Sequence, residues 1–446
     1  MFVFARRPVS TALAFLAMLA TVVSAQGQAT PPQGQATPPS GQATPPPAAG
    51  PPLSLDDAVR LALAHNQALL AQRLSVDISK ADEITAGLKP NPNLALGFDG
   101  IPVAPSQFNA TFFKDVAQYS AALSYTFERG GKRTERVLSA KDSTDVTAKS
   151  VADAERQLRF QTIQDFINVQ LAKSTLDLAQ QDLASFSTTV ETGRAQEAAG
   201  ALAHGDFLQI SLQKLQFEQD VSAAELSLIQ SKATLRQELG YDNVADDFDV
   251  AGDLTHMKIT ATLDALKQDA LASRPDLQSA EASLKMANDD VALAISNRAS
   301  DVNGNVNYSR NAIGPDSVLG VGAAFDLKVH DKNQGNIAHA QVAVDQAKET
   351  EAATHAQVLT DVASAFAQYQ TNDKVLTLFE SGYLDQAKES LDIATYVFQR
   401  GAGSLLDLLN AERTYRSTEL SYRQALAAYV TSVFQINFVV GRQVVP

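Results

Sequence analysis

The chain has 446 residues, with 36 Lys and Arg against 50 Asp and Glu, a formal net charge of −14, and neither Cys nor Trp. Without cysteine there is no disulfide framework, thiolate metal site or cysteine nucleophile. An acidic total argues against nucleic acid, whose affinity comes from Lys and Arg set against phosphates. An apolar fraction of 45% and a mean hydropathy of −0.11 resemble those of a soluble globular protein, an impression that the patterning along the chain reverses.

Residues 1–25 predict a secretory signal peptide. Arg6 and Arg7 precede the apolar run Ala12–Ala20, and Val23-Ser24-Ala25 has the small-x-small form of a cleavage site. The run is too short for a permanent membrane anchor, and no cysteine follows it to carry lipid. Removing residues 1–25 takes away two Arg and no acid, which leaves −16. Residues 26–52 repeat Gln-Ala-Thr-Pro-Pro three times. Such a composition buries no core, so this stretch is predicted to be a disordered leader.

Beyond Leu53, proline marks the boundaries. Ser106–Arg274 and Asp316–Val445 contain none, and 132–192 lacks glycine as well, which is what long helices require. Ile163, Phe166, Ile167 and Leu171 fall at helical spacing. Some 60 such residues make a helix of roughly 90 Å, longer than any compact domain is thick. Two stretches before the long helix alternate instead. Leu94, Leu96 and Phe98 and then Tyr119, Leu123, Tyr125 and Phe127 stand two apart, between small or polar residues, predicting strands at about 93–102 and 118–128. The same alternation recurs at about 301–310 (Val302, Val306, Tyr308) and 317–328 (Leu319, Val321, Phe325, Leu327). Each run has one apolar and one small or polar face, as strands of transmembrane barrels do.

The plan occurs twice. Leu55-Asp56 and Ala62-Leu63-Ala64 match Leu263-Asp264 and Ala270-Leu271-Ala272, Phe166 and Gln170 match Phe366 and Gln370, and Gly200, Asp206, Leu208 and Gly240 match Gly401, Asp407, Leu409 and Gly441. A period of about 200 residues is a duplicated domain, with halves at 53–250 and 251–446. Four strands cannot close a barrel, and an open edge is not tolerated in lipid. Two copies would supply eight strands and three would supply twelve.

The chain resembles the TolC-like outer-membrane efflux proteins from Leu53 to Val440. The resemblance rests on the duplicated plan, Leu53-Ser54-Leu55-Asp56-Asp57-Ala58, Arg274-Pro275-Asp276-Leu277, and the turn from Arg400 to Leu409. It implies a mainly α chain with a four-stranded contribution to a trimeric 12-stranded transmembrane β-barrel, continued by a long helical barrel across the periplasm. It further implies an exit duct whose tip docks a periplasmic adaptor protein and an inner-membrane pump of resistance-nodulation-division type. A narrower likeness to the heavy-metal (cobalt, zinc, cadmium; CzcC-like) branch rests on Phe127-Glu128-Arg129-Gly130-Gly131-Lys132-Arg133 and Lys89-Pro90-Asn91-Pro92-Asn93. Metal export and the export of drugs or other solutes both stay open.

The family places its periplasmic tips at glycine-marked turns, here near 193–205 and 400–403. Gly200, Leu202, Gly401, Gly403 and Leu405 are then candidates for adaptor docking, and Asp206, Asp407, Asn410 and Phe398 for the tunnel mouth. Asn410 stands where the family has a second aspartate, and Phe398 and Gly403 where related channels often have Tyr and Arg. Asp206 and Asp407 also suit helix N-capping, and three symmetry-related Asp407 carboxylates would favour cations. The six histidines include no i, i+3 or i, i+4 pair and no H-E-x-x-H, so no metal site is predicted. Asp242–Asp253 lacks the glycine and final Glu of a calcium loop. No catalytic constellation or cofactor fingerprint is recognisable, which argues against an enzyme. The rival readings are an autotransporter-type trimeric stalk, whose strands would lie together at the C-terminus, and a soluble periplasmic helical adaptor, which would leave the alternating runs without lipid.

Overall fold

The computed structural model describes residues 52–444 apart from 102, 105–110, 112–115, 257 and 311–315. The predicted signal peptide and all of the predicted leader except Pro52 lie outside the described residues. In chain order, α1 (Leu55–His65) and α2 (Gln67–Gly87) lead to β1 (Asn93–Asp99) and β2 (Gln118–Phe127), then to α3 (Lys132–Ala198) and α4 (His204–Glu238). The order then recurs: α5 (Leu263–Ser273), α6 (Pro275–Ser296), β3 (Val302–Arg310), β4 (Val318–Phe325), α7 (Gln334–Leu378), α8 (Leu384–Gln399) and α9 (Leu405–Val440). At 1.5 Å per residue, the 67 residues of α3 span about 100 Å.

The strands form one antiparallel sheet in the order β1-β2-β3-β4. The helices keep the same sequence of neighbours on either side of the molecule's middle. Nearer the sheet, α2 packs on α3, α3 on α6 and α6 on α7; farther away, α4 packs on α3, α3 on α9 and α9 on both α7 and α8. Each level is a single row of four helical segments rather than a closed bundle. The middle of α3 is buried on two sides. Ile163 and Ile167 join a core with α5, α7 and α9, whereas Phe166 and Val169 join another with α1 and α4.

The start of α2 meets the end of α4, and the start of α6 meets the end of α9, which is how four segments continue past the middle. Asn66 caps α2 and donates from Nδ2 to the Glu238 carboxylate (2.8 Å) at the end of α4. In the second half Ser273 Oγ donates to the Val440 carbonyl (2.6 Å) at the end of α9. The repeat-matched Gly240 and Gly441 stand at these joints with φ of 80° and 83°. A Cβ at Gly240 would lie 2.9 Å from the His65 carbonyl oxygen, and one at Gly441 would lie 3.1 Å from Ser273 O, so the joint needs glycine for its conformation and for space.

The proline-free stretch after Asp316 is not one uninterrupted helix up to its turn. A π-turn at Phe379–Tyr383, containing Gly382 at φ 113°, separates α7 from α8. The left-handed backbone of Gly382 inserts a residue into the ladder, a recognised cause of helix kinks.

Candidate functional site

The sheet is inside out relative to that of a water-soluble protein. Registered rows such as Leu96–Ala121–Tyr308–Leu319 and Leu94–Leu123–Val306–Val321 build one continuous apolar face. That face is open to the surroundings: Leu96 is 76% and Val321 79% exposed. The opposite face carries Asn93, Ser124, Asn305 and Gly322 in one row and Ala95, Ala122, Asn307 and Gly320 in the next. Phe98, Tyr119 and Tyr308 gather at one end of the strands, and Tyr125, Phe127 and Phe325 at the other. The eight steps from Tyr119 to Phe127 advance about 27 Å at 3.4 Å each. That height and the two aromatic ends match the dimensions of the aromatic-girdled apolar band that membrane barrels carry. Among the described residues, nothing pairs with the outer edges of β1 and β4.

At the strand-to-helix junction Lys132 Nζ lies 2.9 Å from Asp301 and Arg136 lies 2.8 Å from Glu128, while Arg136 also donates to the Ala86 and Leu88 carbonyls. A Cβ on Gly130 would lie 2.5 Å from that of Ala299. The Glu128–Lys132 stretch therefore ties sheet, α2 and α3 together.

The far end of the helices consists of two turns. In 199–203 Gly200 (φ 72°) reverses the chain between α3 and α4; in 400–404 Gly401 (φ 69°) does so between α8 and α9. Gln196 Nε2 reaches the Phe398 and Gln399 carbonyls, both at 3.4 Å, and links the turns. Neither aspartate is the N-cap residue of its helix, contrary to the capping expectation. Ser404 caps α9, accepting from Asp407 N (3.1 Å) and donating to Asp407 Oδ2 (2.7 Å), so the Asp407 carboxylate is held by the capping hydroxyl. Asp206 lies in the first turn of α4 behind Ala203, which offers no side-chain cap, and its charge suits the positive helix end.

Asp407 and Asn410 are exposed, as are Gly200 and Gly401. Phe398, by contrast, is 3% exposed and packs with Phe186, Val190, Ile210, Phe217, Leu405 and Leu408. Phe398 and Leu405 are thus interior props of the tip, with Leu202 lying against the same cluster. A Cβ at Gly403 would come within 3.1–3.3 Å of the Phe398 and Val397 backbone, which disfavours a larger side chain there.

Just behind this cluster, charge replaces hydrocarbon. Glu412 of α9 is 9% exposed, and among the described residues no hydrogen bond reaches its carboxylate. Asp182 of α3 is also buried. Arg416 stands between the helices: its Nε is 3.4 Å from Asp182, it pairs with Asp220 of α4, and its guanidinium lies 4.3 Å from the Phe217 ring centre. Burial pushes Asp182 up to about 6, against the opposing pull of Arg416. Burial together with Asp182 pushes Glu412 up to about 7. A cleft of about 330 Å³ lined by Gln213, Gln216, Asp220, Glu412, Arg413 and Arg416 gives water access to this group.

The outer membrane efflux protein family model matches residues 58–241 and 266–442. The chain belongs to this family. The segment between the two matches is the acidic inter-repeat connection. The efflux protein is 24% identical over 401 residues to the cobalt-zinc-cadmium resistance protein CzcC of Cupriavidus metallidurans, covering 89% of this chain and 91% of that one. Its fold is that of CusC (TM-score 0.72, 18% identity, 87% of this chain and 92% of that one) and of the Neisseria gonorrhoeae outer membrane channel MtrE in its open state (0.70, 19%, 87% and 89%).

Two features of the efflux protein escape reading by motif. The first is the Asp182–Glu412–Arg416 cluster, whose trace in the sequence is a charge at an apolar position: Leu178, Asp182, Phe186 and Val190 form one buried stripe, and Leu405, Leu408 and Glu412 another. The second is His256. Its Nε2 is 2.9 Å from Asp373 and its Nδ1 3.1 Å from Glu380, astride the π-turn, with its ring edge-on to Tyr429. Asp373 and Glu380 lie more than 110 residues away in the chain, so no local spacing reveals the contact. His330 and His339 are both exposed. Among the described residues no group of three or more His, Asp or Glu side chains is placed to hold a metal ion, and no helix is long and apolar enough to cross a membrane.

Proposed function

We propose that the protein is the outer-membrane exit duct of a tripartite efflux system, a homotrimer that passively conducts substrates delivered by an inner-membrane pump through a periplasmic adaptor. The observation that carries this reading is an open-edged four-stranded sheet with an exposed apolar face, mounted on a row of helices of which one is about 100 Å long. Three copies would close a 12-stranded barrel in the outer membrane of a Gram-negative bacterium and continue it as twelve helical segments across the periplasm. An exposed row on α4 (Leu208, Leu212, Leu215, Leu226, Ile229) supports this, because α4 ends the row of helices and its apolar face has no partner among the described residues. A soluble adaptor would leave both surfaces in water.

In this reading residues 1–25 direct export, 26–52 form a leader, and 53–250 and 251–446 are the two efflux repeats. Gly200, Leu202, Gly401, Gly403 and Leu405 shape the tip that meets the adaptor, and Asp206, Asp407 and Asn410 face the tunnel mouth. Energy comes from the pump, and the chain performs no chemistry of its own. The likeness to CzcC favours divalent heavy-metal cations as cargo, which a duct with a mature charge of −16 would pass readily.

Deleting the gene in its host and restoring it from a plasmid tests both parts. Loss of the gene is expected to raise cellular cobalt, zinc or cadmium and to lower metal tolerance at least several-fold, with recovery on complementation. Unchanged metal tolerance together with lost drug tolerance would move the cargo assignment. Recovery of the protein from the soluble fraction without detergent would overturn the duct.

A further inference from the structure

We propose that Glu412, Asp182 and Arg416 form a proton-operated latch between the two helical hairpins of the tip, α3–α4 and α8–α9, which holds the hairpins together when a proton is bound and releases them when it leaves. The placement supports it. Arg416 lies twelve residues past Ser404, about 18 Å into α9 from the turn, and its guanidinium reaches across to Asp182 on α3 and Asp220 on α4. One side chain of the second hairpin therefore grips both helices of the first.

Every charged group facing the site bears on its proton balance. From α9 these are Glu412, Arg413, Arg416, Glu419 and Arg423; from α3, Asp182; from α4, Asp220; and from α8, Asp392, which acts on the neighbouring Tyr415. Glu419 is taken up by Arg423 (3.0 Å), and Arg416 is shared between Asp182 and Asp220. Among the described residues, Glu412 is left with no cation of its own and no hydrogen bond. A nine-tenths buried carboxylate in that position is stable only when protonated, or when water reaches it.

The cleft beside Glu412 supplies the proton route: the carboxylate takes a proton from water in the cleft and returns it there. With the proton on, Asp182 and Asp220 share Arg416, and α9 stays seated. With it off, three carboxylates face one shared guanidinium; the cleft reaches only one side of Glu412, so a full hydration shell around its charge requires α9 to draw away from α3 and α4. The sign follows from burial raising both acids. The seated state binds a proton that the released state lacks over the interval between the ordinary carboxylate range and about 7, so seating weakens as pH rises through that interval. The seated-to-released ratio is expected to fall on the order of a hundredfold between pH 5 and pH 8. This deepens the duct reading, because the hairpins carry the turns at its mouth.

The chain has no cysteine, so Ala201→Cys and Ala402→Cys place unique spin labels on the two turns. Labelled full-length chains diluted into unlabelled assemblies report the distance within one chain. At pH 5.5 a single short distance is expected; by pH 8 a longer population appears, with a midpoint near 7. Glu412→Gln should stay short at both pH values, and Arg416→Gln long at both, with Asp182→Asn as a second neutralising variant should Glu412→Gln fail to assemble. Identical wild-type distances at both pH values, or full pH dependence retained in the neutralising variants, would overturn the latch. Conductance of the same samples in planar bilayers separates the two readings: absence of pores with the distance change intact defeats the duct and leaves the latch standing.

Discussion

At the residue scale, buried charges are structural where they are paired and responsive where they are not. Arg274 is nearly enclosed, and its guanidinium holds Asp276 at 2.5 Å, Asp361 at 2.8 Å and the Val439 carbonyl at 3.4 Å. Burial opposes the charge on both Arg274 and Asp276, and their mutual bonds outweigh it, holding Asp276 below the usual carboxylate range. Arg274→Ala would strand two carboxylates and is expected to cost about 3–5 kcal/mol, read as a lowered thermal midpoint of the detergent-solubilised protein. A midpoint within one degree of wild type would refute that role. Asp276 and Glu412 bear on stability in opposite senses. The contribution from Asp276 is present above its unfolded pKa and is lost as pH falls through its depressed folded value. That from Glu412 is present at low pH and is lost as pH rises towards about 7. Arg274 was visible in the sequence within Arg-Pro-Asp-Leu; Asp361 was not, because 87 residues separate the partners.

At the scale of single elements, alternation was the reliable signal. Leu94, Leu96 and Phe98 stand two apart, and the structure places all three on the exposed apolar face. Leu94→Arg is expected to cost about 2–4 kcal/mol in a bilayer, because in the proposed barrel its row, Leu94–Leu123–Val306–Val321, would face lipid near mid-height, whereas Ser124→Lys on the opposite face should assemble and alter ion selectivity instead. The yield of assembled protein in outer membranes measures the difference, and equal yields would contradict the assignment of faces. Long helices were equally legible from missing proline and glycine. The π-turn was not: Gly382 is one glycine among 23, and only the packing against His256 and Tyr422 distinguishes its neighbourhood.

At the scale of the whole molecule, one chain is a single row of helices with a sheet whose edges, β1 and β4, have no partner among the described residues. A head-to-tail contact between such edges either closes into a ring or grows without end. Amine-reactive cross-linking of the purified protein is expected to give a ladder that stops at three chains. A ladder ending at two would mean an eight-stranded barrel, and one without an end would mean no closure.

Local chemistry carried most of the architecture in this chain. Strand faces, helix lengths and hairpin glycines all depend on residues close in sequence, where period and backbone freedom act directly. The side chains at 182, 220, 412 and 416, the clamp on His256, and the seating of Phe398 inside the tip depend on which helix lies beside which. That is set by burial across the row of helices, and a charge in an apolar stripe acquires a meaning only once the facing residue is known.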